Sequence, residues 1–201
     1  MKTELPPYEE IVALHRKYAP SDAAFDLVFT HCQVVRDIAE QLIAKSDIVI
    51  DTEFVKAGCL LHDIGAYAFW SESDGKLVSK DYVKHGIDGY DILRQEGFSE
   101  QICRVASHHT GVGISAQDIR ETGLPLPVKD YFAESIEERL VMYADKFHTK
   151  SPPTRLMTTE AYCEFAKKYG PDKVGRFKQL EQEFGAPDLA PLAKKHSLEV
   201  A

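Results

Sequence analysis

At 201 residues the chain is long enough for one sizeable core, and its 44% hydrophobic and 28% charged residues are those of a folded protein, which excludes extended disorder. A formal net charge of −8 argues against a protein that grips long nucleic acid by neutralising phosphates, while a small anionic substrate stays open because bound cations reverse the local field. No run approaches the roughly 18 apolar residues of a membrane span, and Met1 to Pro7 carry a charge pair and two prolines rather than an apolar signal core, so the expected compartment is the cytoplasm.

Helical periodicity dominates the chain. From about Ser21 to Lys45, Phe25, Val28, Val35, Ile38 and Leu42 recur at helical spacing behind a Ser21-Asp22 cap, and His31 lies within this apolar stripe. A second helix opens after the N-cap Asp51 and carries Phe54, Val55, Gly58, Leu61 and Ile64 to a stop at Gly65, with His62 and Asp63 in its last turn. Tyr67 to Tyr82 resembles β-structure, and Ser73-Asp74-Gly75 suits the turn of a short hairpin. Lys84 to Gln95 reads as a third helix ended by Gly97, and Ser99 caps a fourth that ends at His109, before Thr110-Gly111. Ser135-Ile136-Glu137-Glu138 has the form of a capping box, and the helix it starts aligns Ile136, Leu140, Tyr143 and Phe147 on one face, with Asp145 embedded near Val141 and Met142. Ser151-Pro152-Pro153 ends that helix. A last helical region runs from about Thr159 to Phe184, with room for a break at Gly170-Pro171. Cys32, Cys59, Cys103 and Cys163 show no Cys-x-x-Cys spacing and read as reduced core thiols.

Five stations along these helices carry the chemistry: His31, His62-Asp63, His85, His108-His109 and Asp145. A single histidine on an apolar face is ordinarily a hydrogen-bonded core residue. Five of the eight histidines at such positions are a costly choice unless something pairs with them, and Asp63 and Asp145 are costlier still. A metal centre satisfies all of them together. Imidazole and carboxylate suit zinc, iron, manganese and related divalent ions, and a bridging carboxylate lets two ions share one water. Gly86 and Gly89, one turn apart, suit close helix packing better than a phosphate cradle.

The ordered set, with Leu60-Leu61-His62-Asp63-Ile64-Gly65 at its centre, resembles the HD-domain superfamily, specifically the branch whose motif reads His-Asp-Ile-Gly. The similarity spans about Asp22 to Lys150. It includes Lys84-His85-Gly86 and Ala106-Ser107-His108-His109-Thr110-Gly111, which look like the extra histidine motifs of dinuclear members. From Gly123-Leu124-Pro125 to Tyr143-Ala144-Asp145-Lys146 the chain is similar to small, mostly archaeal HDIG-related proteins, predicted hydrolases of unsettled substrate. The resemblance implies an all-α HD-domain helical bundle with a small β-hairpin insertion near residues 67–82. The whole chain, 1–201, would be one HD domain, with a core of about 22–150 and a C-terminal helical extension over 151–201.

By the same resemblance, His31, His62, Asp63 and Asp145 hold a first divalent metal (Fe, Mn, Co, Ni or Zn). Asp63 bridges to a second completed by His85 and by His108, His109 or both. The implied activity is metal-dependent phosphohydrolysis of an ester or anhydride of a nucleotide or other small phosphorylated molecule, with His62 and Asp63 catalytic and a metal-bridging hydroxide as nucleophile. Lys146 would assist a phosphate oxygen, and Trp70, in an aromatic segment with Tyr67, Phe69 and Tyr82, would stack on a base. A hairpin simply packed on the helices is the competing reading of that segment. Two departures stand out: Ala66 replaces the lysine that follows His-Asp-Ile-Gly in cyclic-dinucleotide phosphodiesterases, and Gly111-Val112-Gly113-Ile114 replaces their Gly-Tyr-Pro element, which disfavours cyclic di-GMP. A di-iron oxygenase of the HD-domain type and a non-catalytic, metal-containing nucleotide sensor are the alternatives.

Overall fold

Ser21 accepts a hydrogen bond from the Ala24 amide and starts α2 (Asp22–Ala44), whose buried stripe runs from Ala24 to Leu42. This helix is the spine of the structure, a computed structural model that describes residues 5–201. Of the Met1 to Pro7 stretch read for an export signal, residues 1–4 lie outside the described residues. Before the spine comes α1 (Tyr8–Tyr18), which buries Ile11, Leu14 and His15. After it, Asp51 caps α3 (Thr52–Leu61) by accepting from the Phe54 amide.

The sequence pattern extends α3 to Ile64, but the helix stops at Leu61 with His62 as its C-cap, and Ile64–Phe69 tightens into a 3-10 helix. The cause lies in packing: a Cβ on Gly65 would sit 2.1 Å from the His85 carbonyl oxygen, so this segment runs backbone to backbone against α4 (His85–Gln95). Gly86 and Gly89 extend the close approach to α5 (Glu100–His108), where added Cβ atoms would meet the Ala106 oxygen at 2.9 Å and the Ala106 Cβ at 3.1 Å. The two glycines thus serve helix packing.

The expected hairpin forms between β1 (Trp70–Ser71) and β2 (Lys76–Leu77), antiparallel, pairing Trp70 with Leu77, and Gly75 takes positive φ in its turn. Next come α6 (Ala116–Thr122) and α7 (Ile136–Asp145). The reciprocal capping box is at α6, between Ser115 and Asp118. At α7 only half of the expected box is made: Ser135 accepts from the Glu138 amide, while the Glu138 carboxylate turns to Arg104 (2.7 Å) and the Glu134 amide (2.8 Å). A half-buried guanidinium outcompetes the helix's own amide for that buried carboxylate.

Two apolar clusters divide the interior. One gathers α1, the start of α2 and α3 to α5 around Phe25, Phe29, Leu61, Ile64 and Leu93. The other joins the far half of α2 and α7 to α8 (Thr159–Ala166), α9 (Pro171–Phe184) and α10 (Leu189–His196) through Tyr143, Phe147, Phe177 and Leu192. The C-terminal extension therefore shares a core with the central helices. It is tied to α2 by His196 Nε2 and Asp37 Oδ2 at 2.6 Å, and by Gln41 bonded to the Asp188 backbone. Strands β3 (Arg155–Leu156) and β4 (Glu199–Val200) pair in parallel at its edge. Among the described residues there are ten α-helices and only two-residue strands, an all-α architecture, and no helix is long and apolar enough to cross a membrane. The periodic pattern does not mark α1, α6, α10 or the β3–β4 pair.

Candidate metal centre

Where α2 passes from one apolar cluster to the other, His31 lies fully buried, flanked by Phe29 and Cys32 of the first and a turn before Val34 and Val35 of the second. Four other elements end at the same place. His62 is the C-cap of α3 with Asp63 next to it, His85 opens α4, His109 is the C-cap of α5, and Asp145 is the last residue of α7. Three helix C-termini, the negative ends of their dipoles, meet here against one N-terminus, which favours a cation.

The ligand atoms fall into two linked groups. In the first, His31 Nε2 lies 3.2 Å from His62 Nε2, 3.4 Å from Asp63 Oδ2 and 2.9 Å from Asp145 Oδ1, and His62 Nε2 lies 3.5 Å from the same Asp145 oxygen. In the second, His85 Nε2 lies 3.0 Å from His109 Nε2, and the two rings stand 3.3 and 3.4 Å from Asp63 Oδ1. Asp63 thus turns one oxygen to each group. Ligands about 2.1 Å from an ion stand about 3.0–3.4 Å apart in octahedral or tetrahedral geometry, the spacing found here.

Hydrogen bonds on the far side of each ring decide what these nitrogens present. Nδ1 of His62 faces the Cys59 carbonyl at 2.7 Å, that of His85 the Tyr82 carbonyl at 2.6 Å and that of His109 the Ala106 carbonyl at 2.7 Å. A carbonyl accepts only, so the network assigns the Nδ1 proton in all three, and the inward Nε2 is the atom each ring can turn to a cation. Lone pairs facing each other at 3.0 Å repel unless a cation lies between them. Neither Asp63 oxygen has a well-directed hydrogen bond, although the residue is fully buried. The donor set therefore fits divalent metal: His31-His62-Asp63, His62-His109-Asp145 and Asp63-His85-His109 are each able to hold an ion.

Among the protein groups alone, burial drives His31 down to about 4 and His109 to about 3. Burial opposes charge on His62 and Asp63 as well, but Asp63 raises His62 well above the ordinary imidazole value. Lys150 and then His62 hold Asp63 well below the carboxylate range. The interior thus concentrates positive charge around Asp63 from its own protons.

Not every candidate converges. His108 is turned away: its Nδ1 stands 3.2 Å from the Arg104 carbonyl and 2.7 Å from Ser107 Oγ, and its ring packs by Tyr131. Neighbours on a helix point about 100° apart, and with His109 turned to the site from the end of α5, His108 one residue back in the helix points elsewhere. Lys146 donates to Asp145 Oδ2 at 2.6 Å and to the His109 carbonyl at 2.9 Å, and so struts the ligand set from behind. Trp70 is half-buried against the N-terminal cluster, its indole nitrogen sealed without a partner, and it makes no described contact with the ligand atoms.

Three residues with no assigned role also reach the site. Tyr82 stacks on His85 with centroids 4.4 Å apart. His148 Nδ1 lies 2.8 Å from His31 Nδ1, making His31 the one ligand ring here backed by an imidazole instead of a carbonyl. Lys150 places its ammonium against Asp63 Oδ2 and 3.3 Å from His31 Nε2. Lys146, His148 and Lys150 recur at every second residue after α7, a spacing on polar residues that would have pointed to them.

A family model for the HD domain matches residues 28–150, which takes in every one of these residues. The chain belongs to the HD-domain family. Among curated relatives, an uncharacterised protein of Methanocaldococcus jannaschii is 35% identical over 148 residues, covering 71% of this chain and 78% of its own. Two proteins named tRNA (cytidine(56)-2'-O)-methyltransferase are also similar: that of Picrophilus torridus at 31% over 83% of this chain, and that of Thermoplasma volcanium at 29% over 89%. The chain spans less than half of these last two, 44% and 46% of their lengths. Two solved structures of the HD domain of the L. monocytogenes phosphodiesterase PgpH, one in complex with cyclic-di-AMP, share the fold. Each has a TM-score of 0.50 over 85% of this chain, covering 92% and 94% of theirs, at 17% and 15% identity.

Proposed function

We propose that this HD domain is a divalent-metal phosphohydrolase acting on a phosphate ester or anhydride of a small molecule, a nucleotide in the first instance. The observation that carries the reading is the Asp63 carboxylate, with one oxygen toward His31 and His62 and the other toward His85 and His109. His31, His62, Asp63 and Asp145 would hold one ion, and Asp63, His85 and His109 a second. Bound there, divalent ions supply the Lewis acidity that makes water nucleophilic near neutral pH and offsets charge on phosphoryl oxygens.

The chain's own groups prepare that chemistry. Carbonyls of Cys59, Tyr82 and Ala106 fix the ring tautomers of His62, His85 and His109. Lys146 holds Asp145 by one oxygen and leaves the other toward His31 and His62. Burial of the ligand rings keeps competing water from all but the Asp145 side. The nucleotide preference is supported by the cyclic-di-AMP held by one neighbouring fold, and the small-molecule preference by the acidic net charge. The methyltransferase names belong to proteins of which this chain matches less than half, and do not transfer to it.

The test joins metal quantification to a phosphate-ester screen on one preparation, with manganese, cobalt, iron, nickel and zinc in turn. Stoichiometric metal with release of phosphate or nucleoside monophosphate is expected, both lost in Asp63→Ala. Turnover at the wild-type rate in that variant overturns the reading, and oxygen consumption after anaerobic iron loading, without phosphate release, replaces it with oxygenase chemistry.

A further inference from the structure

Resting on the phosphohydrolase reading, we propose that Lys150 and Tyr82 form a clamp for the substrate's phosphoryl oxygens, placed at the solvent edge of the metal centre. Exposure says where a substrate arrives. The side chains of His31, His62 and Asp63 are fully buried, His109 and His85 show 2% and 5%, and only Asp145, at 11%, and Lys150, at 14%, reach solvent. An anion coming to the ligand cluster from outside passes Lys150.

The ammonium is poised but misplaced for its present partners. It lies on Asp63 Oδ2 and His31 Nε2, the atoms that a first metal would take. An ion held by those atoms would repel the ammonium, and Lys150 would then turn to another partner. Lys150 lies beyond the end of α7, in the irregular segment between Asp145 and Arg155, and no helical bond restrains its backbone. Its nearest alternative surface is Tyr82, whose ring centroid is 6.0 Å from Nζ.

Tyr82 supplies the second donor. Its phenol oxygen is sealed from solvent and makes no well-formed hydrogen bond, while Lys150, Asp63 and Asp145 are the charges it feels. A buried hydroxyl left unpaired costs stability, so its retention beside two carboxylates points to an acceptor brought in from outside. Its stacking on His85 fixes the ring over the second ligand group. A phosphoryl oxygen offers the acceptor that the phenol lacks and that the ammonium would lose to a metal: anionic for the ammonium, and with lone pairs for the phenol. Lys146 cannot serve, because its donors are directed at Asp145 and the His109 carbonyl.

The test uses the full chain loaded with manganese and inorganic phosphate as probe. Metal content is measured by mass spectrometry and phosphate affinity by calorimetry for wild type, Lys150→Gln, Lys150→Arg and Tyr82→Phe. The clamp predicts metal content at or above wild type in all three variants, phosphate affinity about tenfold or more weaker in Lys150→Gln, restoration in Lys150→Arg, and a loss of about threefold to tenfold in Tyr82→Phe. In turnover Lys150→Gln and Tyr82→Phe raise KM with an active substrate more than they lower kcat. Unchanged phosphate affinity at full metal content overturns the clamp and leaves the phosphohydrolase reading standing. Loss of metal in Lys150→Gln also overturns it, by making the lysine a support of the ligand set. If metal-loaded wild type neither binds phosphate nor cleaves any ester, the phosphohydrolase reading itself fails and takes the clamp with it.

Discussion

Replacing Gly65 with alanine tests whether the two ligand groups are held together by backbone contact between the 3-10 turn after Asp63 and the first turn of α4. The added methyl carbon would stand 2.1 Å from the His85 carbonyl oxygen, 2.3 Å from the Gly89 nitrogen and 2.9 Å from the Gly89 Cα. All three are backbone atoms, so no side-chain rotation relieves them. Contact distances of at least 3.0 Å require the segments to part by about 0.9 Å, the difference between 3.0 and 2.1 Å. One of those segments carries Asp63 and the other carries His85, now 3.3 Å apart between Oδ1 and Nε2. Metal coordination tolerates about 0.2 Å, and a reacting group misplaced by about 1 Å loses roughly a hundredfold in rate. Gly65→Ala should therefore lose the metal held by Asp63, His85 and His109, lower kcat/KM about a hundredfold, and destabilise the fold by about 1–3 kcal/mol. Metal content, turnover and a thermal melt check the three effects. Gly58→Ala is the control, since its methyl meets only the side chains of Val141, at 3.2 Å, and Val105, which can shift. Wild-type metal content and turnover in Gly65→Ala would refute the idea that backbone contact sets the spacing of the site.

Three further outcomes follow from the geometry. His109→Ala should bind about one metal equivalent less, whereas His108→Ala, which removes a ring turned toward Tyr131, should keep the wild-type content; equal losses in the two variants would refute the assignment. Metal uptake near pH 7 should release protons, because Asp63 raises His62 above the ordinary imidazole value and an ion would take the place of the proton on its Nε2; calorimetry in buffers of different ionisation enthalpy reads this, and no buffer dependence contradicts it. His15, bonded to the Leu60 carbonyl and the Tyr67 hydroxyl, is driven by burial from 6.5 to about 4. The unfolded chain takes up its proton first as pH falls, so stability is fully present above about 6.5 and lost toward pH 4, by about 3 kcal/mol for this group. Urea unfolding of His15→Gln should show a pH slope flatter by that amount, and an unchanged slope would show that His15 does not titrate as argued.

The parts of the molecule that were legible in the sequence are those written as local pattern. The α2 stripe from Phe25 to Leu42, the caps Ser21, Asp51 and Ser99, and the hairpin turn at Gly75 each rest on residues within one or two turns of each other. The five ligand stations were legible for a different reason: histidines and acids on apolar faces are unstable without a shared cation, so their chemistry shows before their positions do. Helices α1, α6 and α10 were not legible, because each buries few residues, three in α1 and fewer in the others. Ile119 alone is buried in α6, and Leu192 alone in α10. Such helices form only against a partner surface, and propensity alone does not support them.

Tertiary structure alone decided which atoms meet. Successive residues at the end of α5 point in different directions, so the exit angle of that helix chooses His109 over His108. The backbone approach at Gly65 sets the gap between Asp63 and His85, a contact between residues far apart in sequence. The path of the chain after α7 brings His148 behind His31 and Lys150 onto Asp63, across more than a hundred and nearly ninety positions respectively. Charge and polarity along the chain point to a cation; the directions in which the ends of α3, α4, α5 and α7 meet α2 decide which of those polar atoms face one another.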